Sequence, residues 1–324
     1  MKQELVITEV KKNNFSLKDF MQRQKQNIIP LSALILVIVI FQIASEGKLL
    51  TERNLRAIIN EGFFTIISAI GLSFVIAQGS LDFSLGGNLA VSCAVAVSVA
   101  FINPMLALPA GIVTGLVIGL VNGLVNSRLH VDSFITTLAM KLVLTGLVVV
   151  ILASGSLGVP MEMLTWDSTE TKLIVLVAAA IVGFIAFEYT KVGKWVKAVS
   201  AEPAATQSGV PVATARMIGF MIAGGTIGFL AFFNILRTGS ASSLTGTGFE
   251  LDALIAVLLG GMPLTGGTNC RFKSAIIGGL TVTILANGMT MCGLSGEIQQ
   301  LTRGIIFLLA VMLTFDRKNI PVIK

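Results

Sequence analysis

The chain has 324 residues, of which 54% are hydrophobic and only 12% charged, and its net charge is +6. A soluble domain carries roughly a quarter charged residues to make its polar exterior, so this composition excludes an ordinary soluble fold. Long continuous apolar runs recur along nearly the whole length, which argues against a transmembrane barrel with its short alternating strands.

In chain order, residues 1–27 are polar and basic, and "IIPLSALILVIVIFQIAS" follows as a retained first span rather than a cleaved signal. At about 20 apolar residues per crossing, spans fall near 28–45, 56–78, 84–102, 105–127 and 132–153. A second set falls near 172–188, 212–236, 251–263, 272–292 and 298–314, the eighth being the shortest. The expected fold is an all-α polytopic membrane protein of about ten transmembrane helices. It divides into a cytoplasmic segment at 1–27, a transmembrane domain at 28–314 with a cytoplasmic loop near 189–212, and a cytoplasmic tail at 315–324.

With the N-terminus placed inside, 16 of the 23 lysines and arginines gather on the cytoplasmic side. This bias puts both termini in the cytoplasm. Lys141 lies inside the fifth span instead.

In the fourth span, "GIVTGLVIGLVNG" sets Gly111, Gly115, Gly119 and Gly123 four apart on one helix face. Such a stripe lets a neighbouring backbone come close, and bundle packing is preferred to a substrate role. Cys93, Cys270 and Cys292 show no metal-ligand spacing and read as packing residues.

The two halves echo each other. Leu81-Asp82 precedes Asn122-Gly123 by 40 residues, and Leu251-Asp252 precedes Asn287 by 35. Five spans separate the copies, so the second would be inverted, as in the five-helix repeats of transporters.

Catalytic motifs are absent. The GK pairs at Gly47-Lys48 and Gly193-Lys194 lack the glycine run of a phosphate loop, and no HExxH or GxSxG occurs in a suitable setting. No metal or cofactor site is expected on this chain, and no role with nucleic acid.

Three segments carry a resemblance. "GLSFVIAQGSLDFSLGG" resembles the region of bacterial ribose-type ABC transporter permeases that usually reads Gly-Ile-Asp-Leu-Ser-Val-Gly. "GTGFELDALIAVLLGGMPLTGG" resembles the second signature of that family, and "VKAVSAEPAATQSGVPVATARMIGF" its cytoplasmic loop. The signature positions are Asp82, Ser84 and Gly86 in the first and Glu250, Asp252, Gly260, Gly261 and Gly266 in the second. Departures are Ser80, Ala201, Pro203, Gln207 and the run Thr268-Asn269-Cys270-Arg271, which bear on ATPase contacts and substrate more than on fold.

The resemblance implies a non-catalytic, multi-pass permease of the bacterial inner membrane, working as a homodimer on a sugar such as a pentose or hexose. Its partners would be a cytoplasmic ABC ATPase, in this family often two fused cassettes, and an extracytoplasmic binding protein. ATP would be used by the ATPase. With the resemblance, Glu202, Pro203, Ala204, Ala205 and Gly209 become coupling residues. Proline in a first helical turn costs no hydrogen bond, so this stretch can open a short docking helix.

Candidates for the translocation pathway are Asn60, Ser73, Asn88, Ser92, Asn122, Thr136, Thr137 and Asn287, together with Glu61. Interhelical hydrogen bonding is the competing role for each amide or hydroxyl. Asp82 is read as a helix cap, with Ser84 as a second capping group. A secondary transporter driven by H⁺ or Na⁺ is the alternative function, with Asp82 and Asp252 as carriers. A membrane enzyme or scaffold has no supporting constellation.

Overall fold

The computed structural model describes residues 17–153 and 155–314. Most of the N-terminal segment and the whole C-terminal tail lie outside the described residues, and Leu17 to Asn27 are already helical. The helices are α1 (Leu17–Ala44), α2 (Glu52–Ile76), α3 (Leu85–Ala100), α4 (Ala107–Arg128) and α5 (Ser133–Leu152). Then come α6 (Thr169–Phe184), α7 (Lys191–Val199), α8 (Glu202–Gln207) and α9 (Val212–Thr238). The last three are α10 (Phe249–Leu259), α11 (Lys273–Met291) and α12 (Gly296–Thr314).

A helix occupies each of the ten apolar runs, and six helical stretches are long and apolar enough to cross a membrane. The chain is therefore an all-α polytopic membrane protein. A π-helical turn, Ile185–Tyr189, carries α6 on to a full crossing, but two other runs yield much shorter helices than that. At about 1.5 Å per residue, α3 rises about 24 Å and α10 about 16 Å, against a hydrocarbon core of about 30 Å. Glycine-rich turns set the start of α10: Gly246 and Gly248 both have φ of +77°, a left-handed conformation that a side chain disfavours.

Central α2 packs against α9, and both are largely buried. Around them the neighbours pair in kind. α3 packs on α4 and α5, as α10 packs on α11 and α12; α4 lies on α9, as α11 lies on α2. The α4–α9 contact is the most extensive in the molecule. Here the glycine stripe meets its partner: a β-carbon on Gly111 would stand 2.7 Å from the Gly228 carbonyl oxygen, and one on Gly123 2.7 Å from Met217 Cα. Gly115 and Gly119 face Gly224, Gly228 and Phe220 just as closely.

A small antiparallel ribbon joins β1 (Ser156–Gly158) to β2 (Ser240–Ser242), tying the loop after α5 to the loop after α9. Apolar side chains stand outward on α1, α5, α6 and α12, among them Ile43, Leu142, Val150, Ile174 and Leu308. Lipid or another apolar surface must cover them.

Candidate functional site

The two signature segments fold onto each other. After α2, Gly79 reverses the chain with φ of +73°, and residues 80–83 run without helix. Irregular backbone inside a membrane domain needs partners from protein or a water-lined cavity. Here α5 supplies them: Leu81 N donates to Ser133 Oγ at 3.1 Å and Phe83 N to Thr137 Oγ1 at 3.1 Å.

Asp82 is buried, and its Oδ1 accepts the Ser84 backbone N–H at 2.8 Å and the Ser84 hydroxyl at 2.6 Å. Asn122 Nδ2 of α4 donates to the same hydroxyl at 2.8 Å. Asp82 thus braces the entry to α3 through the residue before its first turn. Ser84 differs from its expected capping role. It occupies the N-cap position, but its hydroxyl turns to Asp82 and caps no first-turn N–H.

The second signature closes on the first at both ends of α10. Gly86 and Gly246 meet backbone to backbone, leaving no room for a β-carbon on either. Beyond α10, Gly260 packs on the backbone of Ser274 at the start of α11. Gly261 and Gly266 take φ of +85° and +70°, and the next residue, Gly267, donates its N–H to the Ala77 carbonyl at 2.9 Å.

Two charges in the first turn of α10 are held from opposite sides. Glu250 pairs with Lys141 of α5, and Asp252 Oδ2 pairs with Arg303 Nη1 of α12 at 3.2 Å. Glu250 is buried, and its Oε2 has no partner among the described residues. The Lys141 side chain is 37% exposed although it lies near the middle of a 20-residue apolar helix. A cavity of about 180 Å³ opens beside this pair, lined by Gly86, Lys141, Thr145, the 243–248 turn and Glu250. A second cavity, of about 260 Å³, lies on the other side of α10 among α2, α9, α11 and α12. Glu61, Asn234, Arg237, Asp252, Gln299 and Arg303 supply its charged and amide groups.

Most pathway candidates are engaged in helix packing. Asn60 bonds to Thr169 Oγ1 at 2.9 Å and accepts from Lys172 Nζ at 3.0 Å, tying α2 to α6. Ser73 bonds to its own helix, at the Ile70 carbonyl. Ser92 donates to Asn88, which faces the Gly115 carbonyl of α4. Thr137 bonds to the Ser133 carbonyl, and Asn287 accepts from Asn54 at 2.9 Å. Thr136 is buried with its hydroxyl unpartnered among the described residues. Of the candidates, Glu61 alone lines either cavity.

Lys141, Arg237 and Arg303 were not among them. Their signal was present as basic residues inside or at the ends of apolar runs, where such groups face protein or water.

The cytoplasmic-loop signature forms two short helices. α8 begins at Glu202 with Pro203 in its first turn, and Glu202 accepts from Arg216 of α9 at 2.7 Å. Ala205 is buried, while Glu202, Pro203, Ala204 and Gly209 are exposed. Ser200, just beyond α7, lies against both Gly79 and Gly267, so this loop touches the junction of the two signatures. Gln78 Nε2 adds a bond to the Ala215 carbonyl in α9 at 3.2 Å.

Comparison with known proteins places these features. Residues 54–311 match the family described as branched-chain amino acid transport system / permease component. The chain is 30% identical to the ribose import permease of Escherichia coli strain K12 over 295 residues, covering 86% of this chain and 92% of that protein. It is 31% identical to the ribose import permease of Bacillus subtilis strain 168 over 340 residues, covering 98% and 99% of the two. The L-arabinose ABC transporter permease of Azospirillum brasilense is 30% identical over 280 residues, covering 83% and 82%. No solved structure matches. With apolar helices throughout and both signatures joined at α10, the chain belongs to this permease-component family, among the sugar-type permeases of ABC transporters.

Proposed function

We propose that this chain is the membrane-spanning subunit of an ATP-driven importer for a sugar, a ribose-like pentose, a hexose or a related polar solute. The observation that carries the geometric part is the Lys141–Glu250 pair beside a cavity at mid-helix on α5. A charge at the centre of a bilayer costs at least about 2.5–3.5 kcal/mol on insertion scales. A partly exposed lysine there belongs on a wetted face.

In this reading, two copies of the chain bring their α5 faces together and enclose the pathway between them. The outward apolar residues Leu138, Leu142 and Val143 then meet protein instead of lipid. The matching packing of α3 with α4 and α5, and of α10 with α11 and α12, supports ten membrane helices in an inverted five-helix repeat. The lysine and arginine bias supports cytoplasmic termini in the bacterial inner membrane.

The cytoplasmic partner is an ABC ATPase, with one or two cassettes per chain, and it alone binds and hydrolyses ATP. An extracytoplasmic binding protein delivers the solute. α7 and α8 take up the motion of the ATPase. Contact between Ser200 and the glycines at 79 and 267 carries that motion to the α2–α3 linker and to α10.

Ion-coupled secondary transport is not favoured, since Asp82 is committed to both donors of Ser84. Purified chain, ATPase and binding protein in proteoliposomes provide the test. Sugar uptake is expected only with ATP and the ATPase, and vanadate should abolish it. Proton- or sodium-driven uptake by the chain alone would overturn the proposal.

A further inference from the structure

The cavity of about 260 Å³ between α2, α9, α10, α11 and α12 lies apart from the α5 face, within a single copy of the chain. Arg237 in the last turn of α9 and Thr290 at the end of α11 mark its level in the bundle. α9 starts just after α8, so the cavity lies toward the membrane face opposite the α7–α8 loop.

Its lining is balanced in charge. Glu61 and Asp252 stand against Arg237 and Arg303, with Asn234 and Gln299 alongside. Asp252 and Arg303 pair through one oxygen and one nitrogen, while the buried Asp252 Oδ1 and Arg303 Nε find no partner among the described residues. Arg237 lies over the Phe64 ring, 4.6 Å from its centroid. Among the described residues, neither Arg237 nor Glu61 enters an ion pair. The walls therefore offer acceptors at Glu61 and Asp252, donors at Arg237 and Arg303, and both at the amides of Asn234 and Gln299, which suits a guest that both donates and accepts hydrogen bonds.

We infer that this cavity is a binding site for a small, neutral, polyhydroxylated solute, the size of one sugar ring, held within each protomer. A carboxylate only accepts and a guanidinium only donates, whereas every sugar hydroxyl does both. A guest with net charge would upset the two-against-two balance. Phe64 and Phe249 add apolar surface to the wall, as the carbon-bound hydrogens of a sugar require. The volume falls just under the range of about 300–1,000 Å³ that holds drug-sized ligands, which suits a monosaccharide. The solute class rests on the importer reading as well as on this lining; the location rests on the cavity alone.

Thiol protection tests the site. In a Cys292→Ser background, Thr290→Cys places a thiol on the cavity wall, and the full chain in lipid nanodiscs is labelled with a small methanethiosulfonate. Ribose, arabinose, glucose, ribose 5-phosphate and leucine are each added at 50 mM. The neutral monosaccharides should slow labelling at least threefold, and the phosphate ester and leucine should not. Glu61→Gln and Asn234→Leu should each remove the protection while the protein still elutes as a single species with its ATPase.

Protection by leucine or the phosphate ester alone would overturn the inference, as would no protection by any sugar. Sugar uptake by the reconstituted complex is measured separately. Intact uptake without protection sinks the cavity site and leaves the importer reading standing. Protection without ATP-dependent uptake does the reverse.

Discussion

The α4–α9 seam and the surroundings of α10 solve opposite problems. Along the seam, two long helices touch through glycines facing backbone, and no space or charge remains between them. Around α10, an 11-residue helix stops short of a full crossing, and its first turn carries two acids paired to different neighbours. Both cavities described here border that turn. Close backbone packing builds the frame; the short helix leaves room in it for two cavities.

The largest effect is expected where the frame is closed. Gly115→Leu would push a branched side chain into the Gly228 backbone, already 2.8 Å from where a β-carbon would stand. Overpacking in cores typically costs about 1–3 kcal/mol and more when only backbone can yield. Loss of most monodisperse protein on size-exclusion chromatography is expected. A normal yield would show that the seam separates without penalty.

Next comes the brace at the start of α3. Ser84→Ala removes one of the two donors to the buried Asp82, the hydroxyl, which is also the acceptor of Asn122. The backbone N–H stays, so the loss should be about 1–3 kcal/mol for the groups left unpartnered. A fall in the thermal unfolding midpoint in detergent reads this out.

On the α5 side of α10, Lys141→Met leaves the buried Glu250 without its counter-charge, which should lower the yield of folded protein and reduce uptake per folded molecule about tenfold. The double variant Lys141→Met with Glu250→Gln should recover part of that loss. Equal uptake in all three proteins would remove the pair from the pathway.

The smallest effect on folding is expected at the cytoplasmic loop. Glu202→Ala frees Arg216, and Gly209→Ala strains a φ of +75° by about 1 kcal/mol. Together they should weaken co-purification of the ATPase while membrane insertion is unchanged. Unaltered complex formation and uptake would detach α8 from coupling.

Much of this was legible in the residues themselves. The glycine stripe from Gly111 to Gly123 announced a close neighbour, because spacing by four puts all of them on one helix face. Pro203 after Glu202 announced the start of α8. The pathway candidates were less legible. Asn60, Asn88 and Asn122 looked alike as amides in apolar runs, and only their partners on α6, α4 and α3 distinguish a packing bond from a solute contact. Glu61 and Asp252 lie 191 positions apart, and no periodicity links them.

What the chain's order of residues determined by itself is membrane class, helix positions and family, since these depend on local hydropathy, glycine spacing and short contiguous signatures. The partner of each helix and the gathering of Glu61, Arg237, Asp252 and Arg303 around one cavity were decided only in three dimensions. A buried charge is tolerated where distant segments bring it a counter-charge, and that requirement is met by the packed bundle, never by neighbours in sequence.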